Sequence, residues 1–248
     1  MTFDPDTALG GRQDRFPTTR QSVLRAAASG ESGLRSEAFS VVVTAYWKPV
    51  YKYVRVRWRK SNDQAKDLTQ EFFAGLLDRN ALERYDPARA AFRTYLRTCV
   101  DNFLRDHLES AGRLKRGGGI AHVSLDFESA ERELAMQAED ARASMEDFFE
   151  REWQRHLFAL GIEDLRERCR AEGKQIRFDL FARYDLADGD RPSYEALARE
   201  HGLPVTTVTN HLAWARRELR RLVLDRLAAI TGSDGELRRE ARRLLSPV

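Results

Sequence analysis

The chain has 248 residues, and its 42 basic and 39 acidic side chains leave a net charge of +3. That balance excludes a uniformly basic nucleic-acid coat and an acidic disordered tail. With 42% hydrophobic and 33% charged residues, seven prolines and fifteen glycines, the composition favours helices with long solvated faces over a turn-rich β architecture.

The two cysteines, Cys99 and Cys169, stand far apart and outside any C-x-x-C spacing. A packing role in a reducing cytoplasm is therefore expected. The opening residues carry acids early and lack an apolar segment, so no signal peptide is expected. No apolar run approaches the roughly 18 residues that span a bilayer, which predicts a soluble, cytoplasmic protein.

In chain order, residues 1–17 read as a polar, flexible leader. A helix is expected from Thr19 to Ala28, ending at Ser29-Gly30. From Ser36, Phe39, Val42, Val43, Tyr46, Val50 and Val54 recur three and four apart, as one helix face requires, with Pro49 predicting a kink or a break. Asn62 is the expected N-cap of the next helix, which buries Ala65, Leu68, Phe72 and Leu76. Asp86-Pro87 marks another start. The helix behind it buries Phe92, Leu96, Cys99, Val100, Phe103 and His107, and runs to the glycines Gly117–Gly119.

Composition then turns acidic, with fourteen acids against seven basic residues over 126–172. Its first half, to about Ser144, has weak periodicity and reads as a linker. Phe149, Trp153, Leu157 and Leu160 follow at helical spacing, then a short helix from about Ile176 to Tyr184. Ser193 caps a helix over Tyr194–His201. Gly202-Leu203-Pro204 connects it to a longer helix with Val205, Val208, Leu212, Ala215, Leu219 and Leu222 on one face. Two helices around a three-residue turn with glycine form the helix-turn-helix pattern. A charged helix from Asp234 to Leu245 closes the chain.

Four groups of residues carry candidate chemistry. Thr206, Thr209, Asn210 and His211 are short hydrogen-bonding side chains suited to base edges. Arg216, Arg217, Arg220 and Arg221 behind them suit phosphates. Residues 47–60 interleave Trp47, Tyr51, Tyr53 and Trp58 with six basic side chains and no acid; this suits a single strand of nucleic acid and equally the rim of a core. Asp63, Asp67 and Glu71, with Gln70 beside them, form an acidic stripe that is either a solvated face or a dock for a basic helix. Residues 79–116 hold nine basic and five acidic side chains, again a nucleic-acid surface or a solvated one. The five histidines share no ligand spacing with one another or with the cysteines, and Gly117–Gly119 lacks the Lys-Ser/Thr of a phosphate loop. No enzyme activity, cofactor or metal site is expected.

These segments together resemble a bacterial RNA polymerase sigma factor of the sigma-70 family, extracytoplasmic-function group. The stretches that carry the likeness are YWKPVYKYVR (46–55), DQAKDLTQEFFAGLL (63–77), YDPARAAFRTYLRTCVDNFLRDH (85–107) and PSYEALAREHGLPVTTVTNHLAWARRELRRL (192–222). KRGGG (115–119), VSLDFE (123–128) and FFEREWQRHLF (148–158) extend it.

The resemblance implies an all-α chain of two helical domains joined by an acidic linker. These are a leader over 1–17, a region 2-like domain over 18–116, the linker over 117–143, a region 4-like helix-turn-helix domain over 144–228 and an extension over 229–248. It implies binding to the clamp helices of core RNA polymerase through Asp63, Asp67, Gln70 and Glu71. It further implies reading and melting of the promoter's −10 element through Asp86, Arg89, Arg93, Tyr95, Asn102 and Arg105. The −35 element would be read by Thr206, Thr209, Asn210 and His211, with Arg216 and Arg217 on phosphates. An anti-sigma factor or another regulator is a further partner that the resemblance allows. Pro204 departs from the family's usual serine or threonine cap, leaving Thr206 as a substitute cap. Thr209 and His211 replace a basic pair, so base preference does not carry over. The alternative is a helix-turn-helix regulator that binds duplex DNA without polymerase.

Overall fold

The computed structural model describes residues 32–78, 82, 84–110, 125–136, 144–187 and 189–245. The expected leader, the helix at Thr19–Ala28, the basic residues 113–116 and Gly117–Gly119 lie outside the described residues. Those described are all-helical, without a strand. In chain order they form α1 (Ser32–Arg57), α2 (Asn62–Asp78), α3 (Phe92–Ser110), α4 (Phe127–Met136) and α5 (Met145–Ala171). Then come α6 (Gln175–Phe181), a π-helical turn (Ala182–Leu186), α7 (Tyr194–His201), α8 (Val205–Ala229) and α9 (Asp234–Leu245). None of these helices is long and apolar enough to cross a membrane.

The described residues fall into two compact units. One holds those up to Leu157 together with Leu227–Glu240; the other holds Phe158–Arg226 and the residues from Ala241 onward.

The first unit is organised around α1, which runs unbroken through Pro49. An interior proline costs a helix about 3 kcal/mol. Here Tyr46, Trp47, Val50, Tyr51, Tyr53 and Val54 are all buried on either side of it, and that packing outweighs the lost hydrogen bond. Of the aromatic rings of the basic segment, Trp47, Tyr51 and Tyr53 are therefore core, while Trp58 is only half-buried. Tyr46 stacks on Trp153 of α5 at 6.2 Å, Tyr53 meets Phe149 edge-on at 5.5 Å, and Trp47 and Tyr51 both pack on Phe127 of α4.

The segment expected to be an irregular linker contains the ten-residue helix α4. It buries only Phe127 and Ala130, too few positions to register as periodicity, and docks on α1 through Phe127 and through charge. Glu133 lies 2.7 Å from the Lys48 ammonium and 2.8 Å from that of Lys52. Glu131 accepts from Arg55 Nε at 2.9 Å and from the Tyr51 hydroxyl at 2.6 Å. Burial pushes the Glu133 carboxyl up, but the two ammonium groups outweigh it and hold it at about 2.

In the second unit, Gly161 of α5 lets α8 approach closely, since a Cβ there would lie 2.5 Å from Val223 Cγ2. Val208, Leu212, Ala215, Leu219 and Val223 form the buried face of α8, together with Leu165, Cys169, Phe178, Leu180 and Phe181 of the unit's other helices. Leu222, expected inward, is only half-buried, and Val205 is exposed.

Candidate functional site

On α2, the cap is Ser61, one residue before the expected Asn62. Ser61 and Gln64 form a reciprocal capping box: Ser61 Oγ accepts from Gln64 N–H and Gln64 Oε1 from Ser61 N–H. Asn62 instead places its side-chain amide 2.8 Å from the Tyr51 hydroxyl oxygen, whose proton goes to Glu131. Ala65, Leu68, Thr69, Phe72, Phe73 and Leu76 turn inward. That leaves Asp63, Asp67, Gln70 and Glu71 exposed. Asp63 has a loose contact with Lys66, and Glu71 one with His107 Nδ1, both at 3.8 Å. Among the described residues the side chains of Asp67 and Gln70 make no hydrogen bond or ion pair. An exposed carboxylate row on a helix so firmly buried on its other side is a rigid negative surface.

Residues 85–91 do not start a helix at Asp86-Pro87 as expected. Asp86 accepts from Ala88 N–H with its side chain and from Arg89 N–H with its carbonyl, closing a local turn that competes with helix. The helix begins at Phe92. Asp86 and Arg89 are exposed and pair loosely at 3.3 Å. Asn102 and Arg105, also exposed, are joined by a 2.8 Å hydrogen bond. Tyr95 is half-buried against Tyr85, its ring 5.4 Å away; burial, with the neighbouring Cys99, raises its hydroxyl to about 12. Arg93 differs from the others: it is buried, lying 3.2 Å from Glu240, 3.7 Å from Glu150 and over the Trp153 ring. On the inner side of α3, Leu104 is buried, while Cys99, Phe103 and His107 are only partly so.

In the second unit, Ser193 caps α7 as expected, its Oγ accepting from Ala196 N–H at 3.1 Å. Gly202 adopts φ 64°, ψ 33°, a left-handed conformation that glycine takes without strain. The Leu203 N–H returns to Ala198 O at 2.9 Å, and α8 starts after Pro204. Thr206 offers no cap. Its carbonyl accepts from the Thr209 hydroxyl at 3.0 Å, and the Thr207 and Val208 N–H groups bond Pro204 O.

Thr206, Asn210 and Arg217 are exposed, whereas Thr209 and His211 are half-buried. Burial and the charge of Arg177 lower the His211 pKa below its ordinary value, so the ring is neutral at pH 7. Arg216, by contrast, is buried. Its Nε and Nη2 bond the two carboxylate oxygens of Asp185 at 3.0 and 3.1 Å, beneath the ring of Tyr184. Nothing in the local pattern of Asp185 and Tyr184 marks them as partners of a residue some thirty positions away. The same holds for Glu236, whose partner Phe92 is 144 residues away in sequence.

The geometry thus presents an acidic surface on α2, a polar and basic one around 86–105, and a polar and basic one on α8. Residues 42–114 match the family model of Sigma-70 region 2, less than a third of the chain. The match supports a sigma-70 family sigma factor, with a role in promoter recognition and transcription initiation and with core RNA polymerase and promoter DNA as partners. No curated protein and no solved structure matches the chain.

Proposed function

We propose that the chain is a sigma factor of the extracytoplasmic-function group, with α2 as its polymerase-binding element. The observation that carries this reading is the exposed, rigidly backed row Asp63, Asp67, Gln70 and Glu71, lying inside the segment that matches Sigma-70 region 2. A fixed negative row is what a basic helical partner requires.

In this reading the surface around Asp86, Arg89, Tyr95, Asn102 and Arg105 holds the −10 element as it opens. Extruding a base costs a few kcal/mol, offset by binding the unstacked base and its strand. Arg93, being buried, supports that surface from beneath. The helices α7 and α8 act as a helix-turn-helix on the −35 element, with Thr206 and Asn210 toward bases and Arg217 on phosphate. Thr209 and the neutral His211 lie at the edge of the contact, and Arg216 orients the helix through Asp185. The chain supplies specificity and the polymerase supplies catalysis.

The deciding experiment is binding of the purified chain to core RNA polymerase, followed by run-off transcription on genomic fragments that include the chain's own upstream region. Charge reversal at Asp67 and Glu71 together is expected to abolish core binding while helix content stays unchanged. A chain that binds duplex DNA yet ignores core polymerase would be a polymerase-independent regulator, and the proposal would fall.

A further inference from the structure

Helix α3 has no local cap. The residue before it is Ala91, which carries no side-chain acceptor, and the nearest carboxylate in sequence, Asp86, is engaged with Ala88 N–H. The first N–H groups of a helix need partners when they are buried. The Phe92 N–H finds one 144 residues further along the chain, donating to Glu236 Oε1 at 2.6 Å. The other oxygen of Glu236 accepts from the Tyr85 hydroxyl at 2.8 Å and from Gly232 N–H at 2.7 Å. The Glu236 side chain is thus fully engaged, and the residue is 1% exposed. A carboxylate at this end of α3 also faces the positive pole of the helix.

The approach of the C-terminal segment is equally specific. A Cβ on Gly232 would lie 2.7 Å from Tyr85 Cε1 and 3.2 Å from Pro87 Cβ, so only glycine lets this turn rest against the Tyr85–Pro87 corner. One helical turn beyond Glu236, Glu240 pairs with Arg93. The Tyr85 ring, held through its hydroxyl, packs on Phe92 at 5.0 Å and on Tyr95 at 5.4 Å.

We propose that residues 232–240 are a working part of the promoter-opening surface, and that Glu236 is its positioning residue. It caps α3 in place of a local N-cap and fixes the Tyr85 ring against which Tyr95 rests. This rests on the reading of residues 85–105 as the −10 surface. A brace, rather than an occluding latch, follows from two facts. Asp86, Arg89, Asn102 and Arg105 stay exposed with the segment in place, and its departure would strip the cap from the helix that carries them.

The test compares Glu236→Ala, Glu236→Gln and Tyr85→Phe in the full-length chain. Hydrogen exchange at the Phe92 amide is expected to rise about tenfold in Glu236→Ala, with α2 amides unchanged. Glu236→Gln retains one acceptor oxygen and should recover part of that protection. Tyr85→Phe removes only the hydroxyl and leaves the cap. Holoenzyme built with each variant is then scored for strand opening, by permanganate reactivity, on a genomic fragment that the wild-type chain transcribes. Glu236→Ala and Tyr85→Phe should both open it several-fold more slowly at unchanged core binding. Opening that is unchanged, or faster as release of a latch would make it, overturns the proposal, as does unchanged Phe92 exchange in Glu236→Ala. Failure of the sigma reading itself is distinguishable, because the wild-type holoenzyme would then open no fragment.

Discussion

Lys52 of α1 and Glu152 of α5 meet at 2.6 Å with side chains 2% and 1% exposed. Taking both charges out of water costs several kcal/mol each, so the pair is sound only while both members are present. Glu133 gives Lys52 a second carboxylate at 2.8 Å, which softens the loss of Glu152 without cancelling it. Glu152→Ala is expected to lower the unfolding free energy by about 3 kcal/mol, measured by urea denaturation. Adding Lys52→Met should restore part of that loss, because it removes the stranded ammonium. A single-mutant cost below about 1 kcal/mol would mean that Glu133 alone satisfies Lys52.

Acid sensitivity should have a distinctive onset. His156 is buried on α5, where its Nε2–H donates to Thr44 O at 2.8 Å and burial depresses its pKa from 6.5 to about 4. The folded state therefore holds the ring neutral where the unfolded chain would protonate it. Its contribution is complete above pH 6.5 and is lost as pH falls from 6.5 to 4, in total roughly 3 kcal/mol. Glu133, with its carboxyl lowered from 4.5 to about 2, loses its contribution in a lower window, between those values. His156→Gln should flatten the stability profile between pH 6.5 and 4 and leave the lower limb in place.

Legibility in the sequence followed the range of the interactions. The buried face of α8, the Ser193 cap and the Gly202 turn were readable because each is settled within a few residues. Pro49 marks an interruption in the local pattern because its cost is local, whereas the packing that overrides it comes from α4 and α5. The helix start at Asp86-Pro87 failed because the Asp86 side chain satisfies its own turn. The roles of Arg93 and Arg216 needed tertiary partners, Glu240 and Asp185. No local pattern separates Arg216 from Arg217, since one residue is only about 100° of helix rotation.

The close crossing at Gly161 has a sign that can be tested. Alanine in a helix is about 1 kcal/mol better than glycine, yet the added Cβ would sit 2.5 Å from Val223 Cγ2 and 3.3 Å from Leu219 Cδ1. Val223 is β-branched and stiff on its own helix, so the backbones would have to separate. Gly161→Ala is expected to cost about 1–2 kcal/mol net. Combining it with Val223→Ala should reveal a favourable coupling of about 1 kcal/mol. Stabilisation by Gly161→Ala alone would contradict the crossing distance.

Neighbouring arginines on α8 should separate into different phenotypes. Arg217 is exposed and makes no ion pair among the described residues, so Arg217→Ala should weaken DNA binding about equally across sequences. It should also reduce the slope of log affinity against log salt by about 1. Arg216 is fixed by the Asp185 carboxylate, so Arg216→Ala should leave that half-buried carboxylate without its partner and destabilise the α7–α8 region by about 1–3 kcal/mol. Asp185→Ala supplies the control: it has no claim to contact DNA, yet it should lower both thermal stability and DNA affinity as Arg216→Ala does. If Asp185→Ala destabilises the fold while DNA affinity at low temperature stays intact, and Arg216→Ala abolishes that affinity, then Arg216 leaves its carboxylate to bind phosphate directly.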